Sequence, residues 1–185
     1  RSRGAAPEEV SASIVLSPDS AICGACHSQG ASEDGHPFAV GYTAGADLLG
    51  TAGFALVPPD DAAHWWPSGH ASQKYMQFNE WLNSTHASSL EGLRSSERAQ
   101  DACLICHSAD GARALAAVAG EAGETAAGVT LENAAFGVEC VSCHVVHQPA
   151  TDEDGAPLDF LLSTEPYTMC VACHEDTDVT GVIHA

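Results

Sequence analysis

Cys23-Gly-Ala-Cys26-His27 places two cysteines three positions apart, with a histidine directly after the second. Three further segments repeat this pattern, and the four together use all eight cysteines of the 185-residue chain: Cys103-Leu-Ile-Cys106-His107, Cys140-Val-Ser-Cys143-His144 and Cys170-Val-Ala-Cys173-His174. One short turn thereby carries two thiols, which can add to the two vinyl groups of a porphyrin, and an imidazole that can lie beneath the iron. This spacing is the attachment signature of c-type haem.

The four segments predict four covalently attached haem c groups. The eight cysteines are predicted to bind the porphyrins: Cys23, Cys26, Cys103, Cys106, Cys140, Cys143, Cys170 and Cys173. The histidine of each segment is predicted to be the proximal iron ligand: His27, His107, His144 and His174. Paired cysteines also form zinc sites and disulfides, but neither use requires a histidine after every second cysteine. Zinc ribbons and redox dithiols are the alternatives to haem attachment.

The length of the chain limits how much protein can surround each haem. Four haems share the chain at about 46 residues each (185 divided by 4), too few for a separate core around each macrocycle. We therefore expect one domain, residues 1–185, whose core consists largely of haem. We predict a mainly α-helical fold with extensive loops and little or no sheet, and the 17 glycines and 9 prolines agree with it.

The clearest predicted helix follows Ser72. Tyr75, Phe78, Leu82 and His86 recur there at intervals of three and four residues, which is the spacing of one helix face. This pattern puts His86 on the buried side, where an imidazole needs a partner. Two more helices are predicted over Leu90–Ala99 and Ala112–Ala119.

Six histidines outside the four segments are candidates for the second axial position of each iron. The chain has only two methionines, and Met169 lies too close to Cys170 to reach across that haem, so we predict bis-histidine ligation and low potentials. The preferred distal ligands are His36, His70, His86 and His147, with His184 and His64 in reserve.

Spacing adds two details to this ligand set. His147 lies three residues after His144, and the porphyrin plane prevents it from reaching the far side of the same iron, so we expect it to ligate a neighbouring haem. About 22 Å of predicted helix separates His70 from His86, which should therefore serve different haems.

The charge of the chain is strongly acidic. Its net charge is −19, from 25 acidic and 6 basic residues, and no lysine or arginine follows Arg113. Such a field disfavours nucleic acid and anionic lipid as partners and would steer basic proteins or bind cations. No apolar run approaches the roughly 18 residues of a membrane span. Because haem is attached to such segments outside the cytoplasm, we expect a mature periplasmic or extracellular form after removal of a signal peptide.

Four stretches carry a family resemblance: Gly35-His36-Pro37-Phe38, His70-Ala-Ser-Gln73, Trp81-Leu-Asn-Ser84-Thr-His86-Ala87 and Gly137-Val138-Glu-Cys140-Val-Ser-Cys143-His144-Val-Val-His147. They resemble blocks of tetrahaem cytochromes of the nitrifier type and of extracellular tetrahaem cytochromes that polymerise into conductive filaments, or nanowires. The resemblance implies that His86 and His147 are distal ligands. Some of those filament subunits receive one distal histidine from the next subunit, so the resemblance also implies a homopolymer with a distal histidine donated between subunits.

These features predict an electron-transfer protein rather than an enzyme, because two histidines on every iron leave no position for a substrate. Redox donor and acceptor proteins, or extracellular acceptors, are the expected partners. A filament subunit and a discrete periplasmic shuttle are both open. A haem enzyme acting on a small nitrogen compound at a five-coordinate iron is the less favoured alternative.

Overall fold

The computed structural model describes residues 19–50, 53–118, 128–145, 151, 154–157 and 162–174. Within these ranges, seven short α-helices, one 3-10 helix at Asp101–Cys103 and two strands follow one another along the chain. Their bounds are α1 Ser20–His27, β1 Gly30–Ser32, β2 Phe54–Leu56, α2 Gln77–Leu82, α3 Ser89–Arg94, α4 Leu104–His107, α5 Ala109–Val118, α6 Cys140–Cys143 and α7 Pro166–Val171.

The predicted fold class is confirmed: the chain is mainly helical, with extensive loops and very little sheet. Its longest described helix, α5, has only ten residues. The strands β1 and β2 form one antiparallel pair, with Gly30 opposite Leu56 and Ser32 opposite Phe54. No described helix is long and apolar enough to cross a membrane.

The chain divides into two compact units, Arg1–Asn83 and Ser84–Ala185. Each is described by itself below, and the assignment of residues 1–185 to one domain stays a prediction. The first unit contains one Cys-x-x-Cys-His segment and the second contains three.

The core of the first unit forms where α1 meets α2. Leu48, Phe54 and Phe78 are buried together there. Asn79, also buried, exchanges two hydrogen bonds with the backbone of Gln29: it accepts from the Gln29 N–H at 2.9 Å and donates to the Gln29 carbonyl at 2.9 Å. This buried amide ties the end of the first cysteine segment to α2.

Gly24, inside the first cysteine segment, sets how closely α1 approaches this core. A Cβ at this position would come within 2.8 Å of the Leu48 side chain and 2.7 Å of the Phe78 ring. We expect Gly24→Ala to lower the free energy of unfolding by about 1–3 kcal/mol because the tightly packed neighbours must shift.

Gly92 in α3 is the matched control for this prediction, since a Cβ there would meet nothing within 4 Å. Gly92→Ala should raise the free energy of unfolding by about 0.5–1 kcal/mol through the better helix propensity of alanine. Denaturant unfolding of both variants measures the difference. Equal effects of the two substitutions would contradict the packing described here.

The core of the second unit lies between α3, α4 and the segment 128–137. Leu90, Leu93, Leu104 and Ala134 form its buried cluster. Arg94 spans the cluster, donating from Nε to the carbonyl of Leu131 at 2.8 Å and from Nη2 to that of Ala134 at 2.6 Å. This arginine therefore contributes to the structure of the unit rather than to a free basic surface.

The helix predicted after Ser72 is much shorter than expected, since α2 covers only Gln77–Leu82. Tyr75 has a φ of 60°, which no right-handed helix includes, and it is 62% exposed. Asn83 and the two hydroxyl residues after it favour local side-chain hydrogen bonds over helix. Of the four residues predicted to share one helix face, only Phe78 is buried. The prediction of a buried, helical His86 is therefore wrong. The prediction of about 22 Å of helix between His70 and His86 is wrong for the same reason.

The other two predicted helices exist with different bounds. The helix predicted over Leu90–Ala99 is α3 and ends at Arg94, and the helix predicted over Ala112–Ala119 is α5 and begins at Ala109.

Candidate functional site

All four Cys-x-x-Cys-His segments lie on helical turns. The first is contained in α1, the second crosses from the 3-10 helix into α4, the third begins α6, and the fourth overlaps the end of α7. In the last two, the histidine N–H closes the turn onto the carbonyl of the first cysteine, His144 to Cys140 at 2.9 Å and His174 to Cys170 at 2.9 Å. Residues at i, i+3 and i+4 share one side of such a turn, so both thiols and the imidazole face the same way.

Local capping explains why these turns form. Asp19 caps α1 by accepting a hydrogen bond from the Ala21 N–H at 3.0 Å. Glu139 and Ser142 form a reciprocal capping box on α6. Pro166 is the first residue of α7, where its missing N–H costs nothing. Three of the attachment segments thus have a sequence-encoded helix start.

His107 shows how an attachment histidine is oriented. Its ring Nδ1 lies 3.4 Å from the carbonyl oxygen of Ser89, whose hydroxyl in turn donates to the His107 carbonyl at 3.1 Å. A ring held through Nδ1 keeps Nε2 free for a metal. This arrangement fits an iron ligand.

Thiols of two attachment segments are in contact in the second unit, and a thiol of a third lies within electrostatic range of them. Cys173 of the fourth segment is hydrogen-bonded to Cys106 of the second and interacts electrostatically with Cys143 of the third. Burial, followed by the contact with Cys106, raises the pKa of Cys173 to about 11, and burial also raises the pKa of Cys143.

His86 lies beside His174, the histidine of the fourth attachment segment. Their ring centroids are 6.0 Å apart and the rings are inclined by 60°. Partial burial, followed by repulsion from His174, lowers the pKa of His86 and favours its neutral form. Neutral imidazole is the form that binds metals. Although His86 is not on a buried helix face, its position next to an attachment histidine suits a distal ligand.

The three distal candidates of the first unit have different surroundings. His36 stacks on the exposed ring of Phe38, with centroids 5.4 Å apart. His64 Nδ1 lies 3.0 Å from Asp61 Oδ2, and His70 Nδ1 lies 3.3 Å from Glu80 Oε1. The sequence analysis did not predict either carboxylate contact. The i, i+3 spacing of Asp61 and His64 could have indicated the contact between them. No sequence pattern indicates the contact of His70 with Glu80.

A cavity of about 400 Å³ adjoins the first attachment segment. Its volume is in the range of small-molecule and cofactor pockets. The lining residues come from the end of α1 and from two later loops: Cys26, Ser28, Gln29, Gly30, Pro37 and Tyr75. The cavity therefore brings one attachment cysteine next to the neighbour of His36.

Trp65 provides a further test of whether the chain fits haem. The residue is only 6% exposed, and its indole N–H has no hydrogen-bond partner among the described residues. Buried donors are nearly always paired, so an acceptor such as a haem propionate would satisfy this group. The thiols, the imidazoles, the cavity and the unpaired indole N–H of Trp65 all fit a bound haem.

His147 and His184 lie outside the described residues. Within the described part of the chain, no three histidine, cysteine, aspartate or glutamate side chains are grouped as a ready metal site.

Known proteins resemble the chain in both sequence and structure. A family model described as a doubled CXXCH motif matches residues 133–179, which contain the third and fourth attachment segments. The crystal structure of the outer cell wall cytochrome OcwA is similar with 32% identity and a TM-score of 0.66, over 89% of this chain and 34% of that one. The chain is a multihaem c-type cytochrome.

This cytochrome spans about a third of the length of OcwA. An undecahaem cytochrome from the S-layer of Carboxydothermus ferrireducens is also similar, with 32% identity and a TM-score of 0.39 over 49% of this chain and 14% of that one. No curated protein matches the chain. The prediction of a multihaem c-type cytochrome is thereby confirmed, and the doubled motif indicates covalently bound haem c.

Proposed function

We propose that this cytochrome transfers electrons through four covalently attached haem c groups. The observation that carries the proposal is the approach of the attachment segments in the second unit, where Cys173 of the fourth is hydrogen-bonded to Cys106 of the second and lies within electrostatic range of Cys143 of the third. Segments this close would hold their haems close to one another. Each haem supplies a one-electron iron couple, and the protein provides attachment, orientation and electrostatics.

We propose as axial ligands of the irons the histidines that the sequence analysis selected. His27, His107, His144 and His174 serve as proximal ligands, and His36, His70, His86 and His147 as the preferred distal ligands. The proximity of the His86 and His174 rings supports a shared iron. An iron held by both imidazoles would need the two rings near each other, and their centroids lie 6.0 Å apart. We therefore assign both to one iron.

The charge of the chain supports a choice of partners. With a net charge of −19, the protein would steer redox partners that present basic surfaces. Two of its six cations are engaged internally: Arg94 binds backbone carbonyls and Arg113 pairs with Asp110 at 2.7 Å. We propose donor and acceptor proteins or extracellular acceptors as partners.

We propose an extracellular or periplasmic location, since OcwA is named as an outer cell wall cytochrome. The resemblance to filament-forming cytochromes supports a homopolymer that shares a distal histidine between subunits. A discrete shuttle is the alternative. Size-exclusion chromatography with negative-stain microscopy separates them: filaments support the homopolymer, and a uniform particle of single-chain mass overturns it.

Electron transfer itself is tested by redox titration followed through the haem spectrum. We expect four one-electron steps at low potential and rapid reoxidation of the reduced protein by a one-electron acceptor that does not bind iron. Reduced protein should not bind carbon monoxide. A high-spin ferric signal together with carbon monoxide binding would contradict the proposal and favour the haem enzyme.

A further inference from the structure

A carboxylate holds the His64 ring in the first unit. Asp61 Oδ2 lies 3.0 Å from His64 Nδ1, and the His64 side chain is only 29% exposed. An ionised carboxylate is an acceptor only, so Nδ1 must carry the proton and donate. The remaining nitrogen, Nε2, then has its lone pair free for a metal. Metal-binding histidines almost always donate their other N–H to a carboxylate, a carbonyl or water.

The backbone around His64 is fixed on both sides. The His64 N–H donates to the Asp61 carbonyl at 2.9 Å, and its own carbonyl accepts from the Ser72 N–H at 2.8 Å. Trp65 forms a bridge with Ala71, so two successive residues are paired with the same returning segment. A ligand held this way loses little freedom when it binds iron.

Asp61 is fixed as well, through a second oxygen. Its Oδ1 accepts from the Ala63 N–H at 2.9 Å while Oδ2 binds His64. The carboxylate is therefore already oriented before it meets the imidazole. By contrast, the His36 ring stacks on the exposed Phe38 and makes no other ring contact or hydrogen bond within the described residues.

The orphan donor of Trp65 is an independent indication that a group with acceptor atoms lies near this segment. The indole is buried and directly follows His64, and its N–H has no partner among the described residues. The propionates of a haem are such acceptors.

We infer that His64 is an axial ligand of a haem iron through Nε2, and that Asp61 is its positioning residue. The inference rests on the proposed function, and it places His64 in the set of four distal ligands in place of His36, whose ring contacts only the exposed Phe38 among the described residues. A carboxylate hydrogen bond makes the imidazole more basic and stabilises ferric iron, so Asp61 also lowers the potential of that haem.

The first test is His64→Gly in the haem-loaded protein. One haem should become high-spin by paramagnetic resonance, and added imidazole should restore the low-spin signal while the intact mass shows an unchanged haem count. A fully low-spin spectrum at unchanged haem count would overturn the inference but leave electron transfer intact. Loss of all haem from the parent protein would instead overturn the proposed function.

The second test is Asp61→Asn, with Asp60→Asn as the matched control. Both substitutions remove one negative charge, but Asp60 is exposed and has no hydrogen bond among the described contacts. We expect Asp61→Asn to raise the midpoint potential of one haem and to weaken the binding of its iron by His64 by about 10–100-fold, measured as displacement of His64 by added imidazole. Asp60→Asn should change neither. Equal shifts in the two variants would show a general charge effect and overturn the positioning role.

Discussion

Replacing His86 by alanine should open one iron to carbon monoxide and make about one haem in four high-spin. In the proposed arrangement His86 and His174 would hold the same iron, and their ring centroids are 6.0 Å apart. Removing one imidazole leaves His174 as the proximal ligand and the other position vacant. Paramagnetic resonance of the oxidised protein and carbon monoxide difference spectra of the reduced protein measure the change.

Two further variants make this prediction specific. His86→Met should keep the iron low-spin but raise its potential, since histidine–methionine ligation raises the potential of haem. Thr85→Ala, at the exposed neighbouring position, should leave both spectra unchanged. If His86→Ala protein stays entirely low-spin with all its haem, another residue is the distal ligand and the assigned pair is wrong.

Replacing both Cys170 and Cys173 by alanine should remove one covalent haem from the chain. The two thiols of α7 and the following turn are the only covalent links proposed for the fourth haem. The mass of the denatured protein should fall by one haem, and three haems should remain attached. The same paired substitution in each of the other segments should give the same loss.

Thr168→Ala is the control for this change, because Thr168 is exposed on the same helix and contributes no thiol. That variant should retain its full haem mass. A double cysteine variant of unchanged haem mass would show that the fourth segment does not attach haem. A double variant that loses several haems would instead reflect misfolding of the second unit, which contains three of the four segments.

The sequence contained most of the chemistry of this protein, because the attachment pattern is local. The two cysteines and the histidine of a segment face the same way when the segment forms one helical turn, and each of the four segments forms such a turn. Helix caps such as Asp19 are equally local. The scarcity of sheet followed from the short length available per haem.

Long-range features could not be predicted in the same way. The periodicity that put His86 on a buried helix face depended on a helix through Tyr75, which adopts a positive φ instead. The approach of His86 to His174 joins residues far apart in sequence, and that of Glu80 to His70 depends on how the chain turns back over the ten positions that separate them. The sequence analysis placed His64 among the reserve distal ligands. Its suitability as a ligand depends on the orientation that Asp61 gives its ring, which the sequence does not show.

Intact mass of the purified protein under denaturing conditions, combined with a pyridine haemochrome assay, tests the central claim most directly. Four haem c groups should remain bound to every 185-residue chain after denaturation and acid-organic extraction, since thioether links survive both treatments. A chain that carries fewer than four haems, or that releases them on extraction, would contradict the account.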